Sequence, residues 1–113
     1  MKKSEIKKKI LEGLPVSRGT ITGTVRVIKD HKMSALVNEG DILVVPRSHP
    51  NYAIGVMKAG GLICEEGGRL SHLCIVAMEM GIPCITQAKG AITLLETACT
   101  VTLDASDGAV YEA

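Results

Sequence analysis

The sequence predicts a single α/β domain, and three observations carry that expectation. Short apolar runs of strand length alternate with segments of helical spacing. No internal repeat or low-complexity linker divides the chain. With 113 residues, 46% of them hydrophobic, it can bury one real core. Tyr52 and Tyr111 are the only aromatic residues, so that core must be built from Ile, Val, Leu, Met and Ala.

Taken in order, residues 1–12 read as a basic arm or short helix, with Lys2, Lys3, Lys7, Lys8 and Lys9 on a solvated face. The folded domain is expected over residues 13–113. Residues 13–19 hold two glycines and a proline, and read as a turn leading into it. Residues 20–28 place Ile21, Val25, Val27 and Ile28 among threonines, with Gly23 interrupting, which predicts a strand or a bent strand pair. Residues 32–37 allow one helical turn. Ile42, Leu43, Val44 and Val45 form a continuous apolar run closed by Pro46, as in a strand buried on both faces.

Residues 52–59 read as a helix ending at Gly60 and Gly61, and residues 62–64 as a second buried strand. A loop over 65–68 precedes a helix over 70–80, stopped by Gly81 and Pro83. Leu70, Leu73, Cys74, Ala77 and Met80 follow helical spacing, and Ile75 and Val76 add a second apolar flank. That helix is therefore expected to be largely covered. Cys84 and Ile85 continue as a strand. Residues 101–103 and 109–111 flank a turn-rich hairpin connection that includes Asp104 and Gly108.

Composition excludes several function classes. Thirteen basic and twelve acidic residues leave a net charge of +1, so nothing argues for a nucleic-acid partner. Two tyrosines provide no platform for stacking bases. No apolar stretch follows the N-terminal lysines and none is long enough to span a membrane, so a cytoplasmic protein is expected. Met1 and the lysine-rich start read as the native beginning of a free-standing chain. Cys64, Cys74, Cys84 and Cys99 form no C-x-x-C pair, which argues against a zinc site or a disulfide framework; all four read as small buried hydrophobes. No metal is expected.

One window stands apart, Glu65-Glu66-Gly67-Gly68-Arg69-Leu70-Ser71-His72. Two glycines after a strand permit a sharp turn and close approach to a ligand. Their N–H groups, with those of the first helical turn, can form an anion-binding concavity. Ser71 can cap the helix or bond the histidine, and Arg69 can meet phosphate oxygens or simply serve solubility. A neutral imidazole at His72 would be nucleophilic at cellular pH. Locally, the pattern fits an ordinary capping or packing histidine better than it fits a nucleophile.

Residues 66–83 resemble the phosphohistidine signature of phosphoenolpyruvate-utilising enzymes. That family includes phosphoenolpyruvate synthase, pyruvate phosphate dikinase and the first enzyme of the bacterial sugar phosphotransferase system. Its signature reads approximately Gly-Gly-x-Thr-Ser-His-x-Ala-Ile-x-Ala-Arg, followed by Gly-Ile-Pro. The likeness extends to residues 13–23, 41–50 and 101–110. Leu70 stands where the family commonly has threonine, Met78 where it has arginine, and Cys74 where it has alanine. The resemblance implies a swivelling β/β/α domain whose histidine, here His72, is phosphorylated, with Gly67, Gly68 and Ser71 supporting the phosphate loop.

The resulting expectation is a phosphoryl carrier that passes a phosphoryl group between partner modules on other chains. It would be the phosphotransferase component of a split enzyme, without a complete active site of its own. The domain itself would bind no cofactor. Phosphoenolpyruvate or ATP would be the indirect donor, through a separate nucleotide-binding protein, a phosphoenolpyruvate-binding barrel protein, or both. The rival reading is a non-catalytic regulatory or binding module that keeps the swivelling fold. His31 and His49 read as surface histidines that no spacing ties to His72 as metal ligands, Cys74 as packing, and Glu65 and Glu66 as solvated loop carboxylates. Asp104 reads as support for the hairpin turn.

Overall fold

The computed structural model describes residues 7–113, so the expectation for residues 1–6 lies outside the described part. Eight strands run in the order β1-β8-β7-β3-β4-β5-β6-β2. β1 (Lys9–Glu12), β8 (Ala109–Glu112), β7 (Thr100–Asp104) and β3 (Thr20–Val27) form an antiparallel half. β3, β4 (Ile42–Val45), β5 (Gly61–Cys64) and β6 (Cys84–Thr86) pair in parallel, and β2 (Leu14–Ser17) closes that edge antiparallel to β6.

β3 belongs to both halves. Residues 20–24 pair with β7, and residues 25–27 pair with β4. Gly23 lies just before the change of partner, where the sequence suggested a bend.

The parallel strands are buried on both faces because each face has its own cover. Ile42, Val44, Ile63 and Ile85 point into a core shared with Leu11, Val101, Leu103 and Val110 of the antiparallel half. Leu43, Val45, Leu62, Cys64 and Cys84 point the other way, against Val56 of α1 (Ala53–Lys58) and Leu73, Cys74 and Ala77 of α2 (His72–Met80). The alternation follows from the two-residue period of a strand. The result is a β/β/α stack, as the family resemblance implied.

Three sequence expectations need correction. Residues 9–12 are neither arm nor helix; they form β1, with Leu11 buried against the core while Lys9 and Glu12 face solvent. Residues 14–17 form β2 rather than a turn. Pro15 is tolerated there because β2 is an edge strand that need not donate on both sides. A four-residue helix, α3 (Ala91–Leu94), was not foreseen, being too short to show periodicity. Among the described residues, no helix is long and apolar enough to cross a membrane.

Candidate functional site

The loop that carries His72 is launched from β5 and held at three points. Glu65 N–H and Glu66 N–H donate to the carbonyls of Val45 (2.9 Å) and Pro46 (3.1 Å), prolonging the β4–β5 ladder into the loop. Gly67 then adopts φ +125°, a conformation L side chains rarely take, so this glycine is required by the backbone. Its carbonyl accepts a 3.0 Å hydrogen bond from the hydroxyl of Thr86, itself fully buried in β6. Gly68 is different. Its φ is not positive, and a Cβ there would meet nothing within 4 Å. Its carbonyl accepts from Ser71 N–H at 3.1 Å and closes the turn into the helix.

α2 begins at His72 with Ser71 as the capping residue. The Ser71 hydroxyl makes no capping bond to the helix. Instead, Leu73 N–H donates at 3.3 Å to the hydroxyl of Ser48, in the loop after β4. A serine twenty-five positions away thus takes one of the orphan donors of the first turn. Ser48 and Thr86 are the residues the sequence reading missed. Both are polar side chains brought to the loop by tertiary packing, and the only local signal was a threonine ending an otherwise apolar strand.

His72 is exposed at the first position of the helix. The helix macrodipole favours negative charge at that end. Arg69 is also exposed and, among the described residues, makes no ion pair. It lines a cleft of about 500 Å³ with Leu14, Leu70, Met78 and Gln87. A second cleft, of about 470 Å³, lies against Glu65, Glu66, Gly67, Gln87, Lys89 and Gly90. The structure therefore brings Gly67, Gly68, Arg69, Ser71 and His72 together along one short exposed turn.

Several environments differ from expectation. Leu70 is 80% exposed because it lies in the turn before Ser71, outside the helical phase. Ile75, Met78 and Met80 are also exposed, so α2 is covered on one side only. Glu65 is no solvated carboxylate, since it accepts from Ile92 N–H at 2.9 Å and caps α3. His31 and His49 are half-buried and meet each other; their rings stack at 3.5 Å and 3°, and Asn51 bonds to both. Asp104 does support its hairpin, accepting from Asp107 N–H at 3.2 Å.

Beneath the loop, Cys74 packs in one buried cluster with Cys64 and Cys84. Hydrogen bonds from Cys64 and Cys84 hold its thiol below the usual thiol range. Hydrogen bonding to Cys74, followed by burial, pushes Cys64 and Cys84 up. These three are buried as expected, whereas Cys99 is exposed.

The β/β/α stack presents His72 on a Gly-Gly turn, the arrangement that the resemblance to phosphohistidine domains implies. The family profile described as "PEP-utilising enzyme, mobile domain" matches residues 37–108, which include the whole loop and α2. The chain belongs to this family. Phosphoenolpyruvate synthase of Pyrococcus furiosus is 42% identical over 103 residues, covering 91% of this chain and 13% of its own length. A pyruvate kinase of Lactobacillus delbrueckii subsp. bulgaricus is 34% identical over 113 residues, covering 99% of this chain and 19% of its own. The chain thus spans less than a fifth of the length of these relatives. Two solved structures share the fold. Aconitase X of Thermococcus kodakaraensis has a TM-score of 0.68 at 19% identity, covering 89% of this chain and 95% of that one. Enzyme I has a TM-score of 0.59 at 20% identity, covering 69% of this chain and 32% of that one.

Proposed function

We propose that this domain is a phosphoryl carrier working in the cytoplasm, with His72 as the residue that accepts and donates the group. The observation that carries this reading is an exposed histidine at the first position of α2, on a turn fixed by Gly67–Thr86 and Leu73–Ser48 contacts. A ring nitrogen of neutral His72 attacks phosphorus, a nitrogen–phosphorus bond forms, and the bond from phosphorus to the donor's oxygen breaks. The N–H groups of the turn and the end of α2 stabilise the added negative charge. The reverse attack, by an acceptor oxygen, frees the imidazole.

On this reading the domain binds no cofactor itself. Phosphoenolpyruvate or ATP supplies the group through a separate nucleotide-binding or phosphoenolpyruvate-binding barrel protein. The test is intact-mass analysis and phosphorus NMR of the chain incubated with such donor modules. An acid-labile adduct is expected on the wild type and none on His72→Ala. Absence of the adduct from wild type, or the same adduct on the variant, refutes the carrier role.

One observation favours a second reading, a non-catalytic binding module. Leu70 and Met78 are apolar, exposed and border the cleft that Arg69 lines, which suits a protein contact that needs no chemistry. That reading requires the His72→Ala protein to keep its full cellular role.

A further inference from the structure

Gln87 is exposed and adopts φ +52°, in the left-handed region, directly after the last residue of β6. Ala98, the other described non-glycine residue with positive φ, lies in a turn closed by Cys99 N–H on the Glu96 carbonyl. Gln87 lies against the functional loop instead. Its predecessor Thr86 bonds the Gly67 carbonyl, and its successor Ala88 donates to the Cys64 carbonyl at 3.1 Å. Both ends of this strained residue are thus tied to the segment that carries His72. Glycine would take the same backbone without steric opposition. What glutamine adds is a side-chain amide with two N–H donors. A backbone outlier at a candidate site is a reason to look for a role.

Gln87 lines both clefts that flank the loop, and charge separates the two. One is bordered by the carboxylates of Glu65 and Glu66, with Lys89 as its cation. The other has Arg69 and no carboxylate, between apolar walls of Leu14, Leu70 and Met78. An oxyanion favours the second, where apolar walls also strengthen each hydrogen bond made to it. We propose that Gln87 is a phosphoryl-contacting residue: its side-chain amide, together with the Arg69 guanidinium, donates to the phosphoryl oxygens of modified His72 on the Leu70–Met78 side of the loop. This assignment rests on the carrier reading and names the donors that hold the transferred group.

The test uses the chain with phosphoramidate as donor, so that no partner is needed: His72 nitrogen bonds to phosphorus as ammonia leaves. Gln87→Gly removes the amide and relieves the backbone. Gln87→Asn keeps an amide on a residue that tolerates the left-handed region. Gln87→Gly is expected to melt higher than wild type yet form the adduct about a hundredfold more slowly, the scale of one lost donor to a developing oxyanion. Gln87→Asn is expected to recover most of the rate. The Gln87 side-chain amide resonance should shift on phosphorylation of His72. A wild-type rate and adduct lifetime in Gln87→Gly, or an unmoved resonance, overturns the assignment. If wild type forms no adduct at all, the carrier reading fails first. Titration with inorganic phosphate then tests the seat separately, and an unmoved Gln87 amide in that titration overturns the seat as well.

Discussion

Replacing Thr86 with valine removes one hydrogen bond while leaving the shape of a buried side chain nearly unchanged. The hydroxyl donates to the Gly67 carbonyl at 3.0 Å from a residue with no exposed surface. A net intramolecular hydrogen bond contributes about 0.5–1.5 kcal/mol. Gly67 is exposed, so its freed carbonyl regains water and no buried acceptor is left unpaired. The expected cost is therefore about 1 kcal/mol, which for a domain of this size lowers the melting midpoint by about 4 °C. The same energy shifts the local opening of the loop about fivefold. Hydrogen exchange followed by NMR reads both effects, because the amide of Ser71, bonded to the Gly68 carbonyl, reports the turn directly. Its exchange should quicken about fivefold in Thr86→Val, and Thr86→Ser should restore the wild-type rate. If Thr86→Val lowers global stability while Ser71 exchanges as before, the bond does not anchor the loop, and the account of how His72 is held is wrong.

Leu73→Ala should cost about 2–5 kcal/mol, since Leu73 is fully buried between α2 and the parallel strands; urea unfolding measures it, and a cost below that range means the site collapses around the gap. Tyr52 should impose an alkaline limit on stability. Its hydroxyl donates to the Ile28 carbonyl at 2.8 Å, and burial, aided by the Asp30 carboxylate, holds its phenol above the ordinary value of 10.0. A raised folded-state value means the stabilisation is complete below pH 10.0 and is lost as pH rises from there through the folded value. Denaturation midpoints measured across that range should fall for wild type and fall less steeply for Tyr52→Phe.

Much of this arrangement is legible in the sequence for identifiable physical reasons. The unbroken run from Ile42 to Val45 indicates a strand with cover on both faces, and the two cores supply that cover. Gly81, at φ +72°, ends α2 where a left-handed residue was expected. The Gly67 turn is legible for the same reason. Other features depend on the tertiary fold. β1 is hidden by the lysines that lead into it, and because only Leu11 of its four residues is buried. β2 is hidden by Pro15, which an edge strand can carry. Leu70 fits the helical spacing but falls one residue before the cap, so its periodicity misleads. Ser48 and Thr86 meet the loop across 25 and 19 positions, and no local pattern signals such a meeting.

The pairing of β1 with β8 has a consequence for how such a domain can be carried. Leu11 lies opposite Val110 and Glu12 opposite Ala109, so the first and last strands run side by side. Any connection continuing from either end would leave from one place. A domain held that way hangs from a single pivot instead of two separate tethers and is free to turn about it. β3 is bonded into both halves and ties them into one body. His72 would then move with the body as one piece, with no rearrangement of the loop that holds it.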